Sequence, residues 1–149
     1  METMFYIVIV EAAIHQADRW LIIKRSEKEE HAPGLLSLVG GKVEVDDAAN
    51  GVLESTLRRE VLEEVGVEVG DELHYLESKF FLTDKNEPVV DIVFVCKHKS
   101  GEPMPLSGDE VAGVQWMSCD EILRSSTAPI WLKQTITKAE TFRLQEGSK

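Results

Sequence analysis

Along the first part of the chain, apolar residues come in solid blocks rather than at helical spacing. Residues 5–10 are an unbroken aromatic and β-branched run that continues to about residue 14, which predicts a buried strand. Polar residues 16–19 turn the chain, and Trp20-Leu21-Ile22-Ile23 predicts the returning strand, closed by Lys24-Arg25. The charged stretch 26–31 and Ala32-Pro33-Gly34 have loop and turn chemistry. Residues 35–39 predict a short strand that runs into Gly40-Gly41, and Lys42-Val43-Glu44-Val45 then alternates polar and apolar.

From residue 46 the period changes. Leu53, Leu57, Val61 and Val65 step by four and form the apolar stripe of a helix. Asp46 and Asp47 suit its start, although Asn50-Gly51 weakens a first turn there or pushes the start later. Gly66 ends it. After a turn at Gly70-Asp71, residues 74–82 and 89–98 predict two strands joined as a hairpin through 83–88. Residues 100–109 form a Gly/Pro-containing loop of a length that often carries function. A last strand is expected at 111–117. Ser118 and Glu121 have the spacing of a capping box, and 126–129 predicts a further helix start with Pro129 in the first turn. That helix extends to about Phe142 and leaves 145–149 as a frayed tail. No repeat or linker divides residues 1–149, so one domain is expected. Its mixed order of elements predicts an α/β or α+β layered fold rather than a regular βαβ series.

Composition narrows the function. A net charge of −11 on 149 residues argues against a basic surface for a nucleic-acid polymer. It leaves room for a small phosphorylated substrate met through metal ions. Cys96 and Cys119 lie in apolar surroundings and read as reduced core thiols. The chain enters a strand without a leader-like segment and has no apolar run of about 20 residues, so the expectation is a cytoplasmic protein with no membrane partner. Trp116 and Trp131 read as core. Trp20 and Phe81 have faces suited to stacking on a base, with packing the favoured reading. The four histidines show no paired ligand spacing and receive no role.

The helix carries the chemistry. Glu60, Glu63 and Glu64 share one face, beside the apolar stripe, and the last two fall in the turn where the macrodipole disfavours negative charge. A divalent cation is the natural compensation. The Gly40-Gly41 pair permits close backbone approach, and a carbonyl there adds an oxygen ligand. An all-oxygen set suits Mg²⁺ or Mn²⁺ rather than zinc. Such a site points to metal-assisted attack of water on phosphorus. Arg59 either orients a carboxylate from the side or touches a diphosphate. A Glu-x-x-Glu-Glu alone is more often a solvated helix face; Gly-Gly before it, Arg59-Glu60 within it and Gly66-Val67 after it argue otherwise.

These residues resemble the Nudix box, G-x5-E-x7-R-E-U-x-E-E-x-G-U with U aliphatic. Arg59, Glu60, Val61, Glu63, Glu64, Gly66 and Val67 match its second half at every defined position. The resemblance implies an α/β/α sandwich with a mixed β-sheet, and a hydrolase that splits a nucleoside diphosphate derivative with Mg²⁺ or Mn²⁺. Glu60 and Glu64 would be metal ligands, Glu63 a ligand or partner, and the Gly41 carbonyl a further ligand. Arg59, Glu60, Glu63 and Glu110 would be the catalytic group, with Glu110, at the end of the 100–109 loop, the candidate general base or extra ligand and Asp109 next. Arg25 and Lys42 would meet phosphates. Between Gly41 and Arg59 the chain has 17 residues where the family has 13; counting forward places Asp47, and counting back Gly51, at the family's first glutamate. This departure is the support for a second reading, a nucleotide-binding sensor module without catalysis. An isoprenoid diphosphate isomerase ranks last. The partner implied is a small nucleotide, and a homodimer fits the family's habits.

Overall fold

The structure is a computed structural model that describes residues 2–147. Among these, the β-branched runs pair as expected, with β1 (Ile7–Gln16) at the centre of the sheet. Next come β2 (Arg19–Arg25), β3 (Leu36–Ser37) and β4 (Val39–Lys42), then α1 (Val52–Val65). The chain continues through β5 (Glu68–Val69), β6 (His74–Leu82), β7 (Pro88–Ser100) and β8 (Val111–Ser118) to α2 (Cys119–Arg124) and α3 (Ile130–Gly147). β1 runs parallel to β7, from Ile7 opposite Val89 to His15 opposite Lys97, and antiparallel to β2 and β4. A parallel neighbour needs a long crossover, which the segment containing α1 supplies. β6 and β5 add to β7, and β8 adds to β2, so the sheet is mixed.

Strand alternation sends side chains into two cores. Val10, Ala12, Ile14, Leu21 and Ile23 pack with Leu57, Val61 and Val65 of α1. Ala13, Trp20 and Ile22 pack with Ile122 of α2 and with Leu132, Ile136 and Ala139 of α3. The sheet is thus covered by helices on both faces, a layered mixed fold as the sequence implies. The Ser118 capping box also forms: the Glu121 N–H donates to Ser118 Oγ at 3.2 Å and the Ser118 N–H donates to Glu121 Oε1 at 3.0 Å.

Several boundaries differ from expectation, each for a local reason. α1 begins at Val52, after Gly51 in the left-handed region (φ 62°), so Asp46-Asp47 belongs to the loop before it. The strand expected at 35–39 is split at Leu38 between two partners, β3 on β2 and β4 on β1. Phe5 stays outside β1 and is exposed. α3 is helical through Gly147, so the tail expected at 145–149 is helix over 145–147, and 148–149 lie outside the described residues. Trp131, read as core, is 46% exposed on the first turn of α3, while Trp116 packs half-buried against the α1 core. Cys96 is a buried free thiol; Cys119, also free, is only half-buried.

The stripe on α1 sets a stability test. Leu57 is 1% exposed and Leu62 58%. Leu57→Ala should cost about 2–5 kcal/mol in urea unfolding, whereas Leu62→Ala should change stability by less than about 0.5 kcal/mol.

Candidate active site

α1 stops at Gly66, whose left-handed backbone (φ 70°) turns its N–H back to the Leu62 carbonyl at 3.0 Å. The loop after β7 then returns across this helix end. The Met104 N–H donates to the Val65 carbonyl at 3.1 Å and the Leu106 N–H to the Glu64 carbonyl at 2.9 Å. Gly101 makes the approach feasible, since a Cβ there would strike the Gly66 carbonyl. These donors occupy carbonyls that would otherwise present the helix's negative pole to Glu63 and Glu64. A tight turn at Ser107 follows, and it delivers Glu110 within hydrogen-bond reach of Glu64. The Ser26 N–H holds the Glu110 carbonyl at 2.9 Å.

Arg59 organises the other side. Its Nε and Nη2 reach the two oxygens of Asp47 at 2.8 and 3.1 Å, and Nη1 reaches Glu60 at 2.7 Å and Glu63 at 3.3 Å. Nη2 also donates to the Lys42 carbonyl at 3.2 Å. Asp47 accepts further from Thr56 Oγ1 at 2.9 Å and the Glu44 N–H at 2.7 Å. The Arg59 guanidinium and these donors hold the Asp47 carboxyl well below the usual range, and Asp47 in turn raises Arg59. Of the two positions offered by counting, the forward one is therefore the one that meets the arginine. Residues 43–51 precede the helix, and α1 begins only at Val52.

Glu60 and Glu64 point into the protein edge, 8% and 6% exposed. Glu60 lies against Gly41, where any Cβ would collide with its carboxylate. Burial raises Glu60, and Arg59 opposes the rise. Glu64 is pushed up to about 9 by burial, then by its hydrogen bond to Glu110 and the nearby charges of Glu60 and Glu110. Its Oε2 is buried with no hydrogen-bond partner. Among the described residues no three acidic, histidine or cysteine side chains are yet drawn around a common point. Crowded buried carboxylates, an orphaned oxygen and hard oxygen donors nevertheless fit a divalent cation.

These groups line one cleft of about 610 Å³, which Gly40, Gly41, Glu60, Glu64 and Glu110 share with Arg25, Lys28, Lys42 and Lys85. Arg25 is tied to Glu29 at 3.2 Å and to the His31 carbonyl at 2.9 Å. Glu63 does not line the cleft; it is 58% exposed and rests on Arg59. Phe81 lines the cleft rather than filling a core, and its ring stacks on His31 with centroids 5.8 Å apart and planes 12° apart. Sequence reasoning gave His31 no role because ligand spacing is blind to stacking, and it passed over Lys28 and Lys85, whose only signal was two lysine-bearing loops. Trp20 is packing, as read, with its Nε1–H donated to Glu140 at 3.2 Å.

A family model described as the NUDIX domain matches residues 6–138. The chain belongs to the Nudix family. A MutT protein of Methanosarcina mazei Go1 is similar in structure, with a TM-score of 0.76 at 25% identity over 96% of this chain and 99% of that one. A MutT NUDIX hydrolase of Burkholderia pseudomallei gives 0.75 at 24% identity over 90% and 98%. An uncharacterized Nudix hydrolase of Shigella flexneri, YfcD, is 33% identical over an alignment of 124 positions, with coverage of 76% of this chain and 64% of that relative. The Nudix chain here thus spans less than two thirds of that relative's length.

The burial of Glu64 in this candidate site has a pH signature. Its carboxyl sits near 4.5 in an unfolded chain and near 9 in the metal-free fold, so between these values the fold keeps a proton that the unfolded chain has released. Stability should therefore fall as pH rises from about 5 to about 9 in the presence of EDTA. Thermal unfolding should show this fall, saturating Mg²⁺ should suppress it, and Glu64→Gln should flatten it.

Proposed function

We propose that the chain is a Mg²⁺- or Mn²⁺-dependent hydrolase that cleaves the diphosphate linkage of a nucleoside diphosphate derivative: a nucleoside triphosphate, ordinary or oxidised, or a nucleotide sugar. The observation that carries this reading is the buried Glu64 carboxyl group, beside Glu60 and Glu110, whose Oε2 has no hydrogen-bond partner. Glu60, Glu64 and the Gly41 carbonyl would hold the ion, with Glu63 a ligand or, through Arg59, a partner of the site. When bound, the ion supplies neutralisation of the diphosphate charge and a lowered pKa for the attacking water. Arg59 keeps Glu60 in place by spanning it and Asp47, a positioning role rather than contact with substrate. Glu110, on its loop across from Glu64, is the base that takes the proton from water. Lys42 and Arg25 border the same cleft and meet phosphate oxygens, Arg25 by exchanging its Glu29 contact. The occupant is a small nucleotide rather than a polymer, because the surface as a whole repels polyanions.

A panel of nucleoside triphosphates and nucleotide sugars, assayed with Mg²⁺ for phosphate or pyrophosphate release, tests this directly. At least one should turn over, and Glu64→Gln should lower kcat by at least about 10²-fold with the fold intact. Tight binding without turnover of any substrate would favour the sensor reading instead.

Asp47→Asn keeps the size of the side chain but removes the charge facing Arg59. Metal affinity or kcat/KM should fall about 10–100-fold, the effect expected of a group that orients a ligand without touching the ion. An unchanged value would mean that Arg59 holds Glu60 unaided.

A further inference from the structure

α1 covers only part of its side of the sheet. The helix packs on β4, β1 and β5, and its core reaches Ile92 and Phe94 on β7. Beyond Ile92 that side of the sheet continues. Val8 lies opposite Val90 and Val90 opposite Phe80, so these three form one row across β1, β7 and β6. The row faces the same way as Ile92, because residues two apart in a strand share a face. Tyr6, just before β1, and Leu82 on β6 extend it by the same alternation. The Tyr6 and Phe80 rings meet with centroids 6.3 Å apart. On the other flank Tyr75 lies opposite Phe94, their ring centroids also 6.3 Å apart.

A sheet face turned to water carries polar residues at its outward positions. Here the outward positions are Tyr6, Tyr75, Phe80 and Leu82, which are 47%, 59%, 60% and 53% exposed. Val8 and Val90 are half-buried between them. None of the six is charged, on a chain in which 29% of residues are. Their bare surface comes to roughly 500–600 Å² when each aromatic side chain is taken as about 200 Å². That is the upper end of what a monomer leaves uncovered, about 300–600 Å². Laid against the same patch on a second copy, it buries about 1,000–1,200 Å², enough for a specific though weak interface. A two-fold axis makes one patch serve both sides, so no second complementary surface is needed.

The free edge of β6 is the other place where two copies could join, and the strand is built against it. A register shift between Tyr75 and Glu77 interrupts its ladder. Glu77 and Lys79 turn inward to Thr135 of α3, at 2.6 and 3.0 Å.

We propose that the exposed face of β1, β7 and β6 is where a second copy of this chain docks, sheet against sheet about a two-fold axis. The inference uses neither metal nor nucleotide, so it is independent of the hydrolase reading.

Sedimentation velocity from about 1 µM to about 1 mM tests it. The protein should pass from monomer to dimer with no larger species, since a two-fold contact closes on itself. Raising salt from about 0.05 to about 0.5 M should favour the dimer, because copies of charge −11 repel and the face has no ion pairs to screen. Phe80→Glu should weaken association at least about 10²-fold, as expected for a charge placed among buried aromatic anchors. Tyr6→Glu gives the same test from outside the strands should Phe80→Glu not fold, and circular dichroism checks both. Ile130→Glu, exposed on the first turn of α3 across the sheet, should leave the dimer unchanged. On dilution, the NMR methyl signals of Val8 and Val90 should move while those of the buried Ile136 stay in place. A protein still monomeric at about 1 mM overturns the inference and leaves the face to an unlike partner. So does a dimer that salt dissociates, or one that forms equally well in the folded Phe80→Glu and Tyr6→Glu variants.

Discussion

The site depends on how a short stretch of helix tolerates buried negative charge. Glu60 and Glu64 are buried one turn apart near the C-terminal end of α1, where the helix field is already unfavourable. Two protein devices reduce the cost. The 101–110 loop places its N–H donors on the Val65 and Glu64 carbonyls, and Arg59 sits between Asp47 and Glu60. Neither device reaches Glu64 Oε2, which remains buried and unpaired. Removing an ion's hydration without supplying a partner costs several kcal/mol, so a proton or a cation must fill that role. The high pKa of Glu64 is the proton's answer; a divalent ion is the alternative that leaves the carboxylate ionised.

That constraint explains why the two glycines cannot be exchanged for other residues, and for reasons that do not involve backbone strain. Neither has a positive φ. Gly41 leaves the volume that the Glu60 carboxylate fills, and Gly40 leaves the volume beside Glu11. One strand, β4, thereby makes room for two acidic groups that the protein treats in opposite ways. Glu60 faces a guanidinium at 2.7 Å, while burial and the neighbouring Asp91 push the Glu11 carboxyl well above its usual range.

How much of this was legible in the sequence follows from which interactions are local. The period-four stripe of α1 and the carboxylates beside it depend only on helix geometry, so residues 53–65 could be read directly. The capping box at Ser118 is local in the same sense. Asp47 was visible only as one of two candidates, because choosing it over Gly51 requires knowing that the insertion is loop and not helix. The position of Glu110 opposite Glu64 depends on a loop folding back over Gly66. The Glu11–Asp91 pair depends on strand register between residues 80 apart in the chain. It did leave a signal: Val-Ile-Val-Glu-Ala-Ala-Ile and Val-Val-Asp-Ile-Val each place one acid in an otherwise apolar run. Charges in buried strands are seldom left without partners, so two such runs are candidates for pairing with each other.

The overall charge of −11 extends into the cleft, where acidic residues and cations are arranged largely as local pairs. Arg25, Lys28, Lys42 and Lys85 line it beside Glu29, Glu30, Glu44, Asp84, Glu87 and Asp109, and three of these cations are paired there: Arg25 with Glu29, Lys28 with Asp109 and Lys85 with Glu30. Asp47 is neutralised by Arg59 outside the cleft lining. The group at the end of α1 differs from these pairs in that Glu64 is buried and its Oε2 has no partner, so a compensating charge is needed most at that point. Arg25, Lys28 and Lys85 can meet another anion only by giving up these carboxylate partners. The acidic surface outside the cleft disfavours long polyanions, which would have to lie across that surface to reach the site.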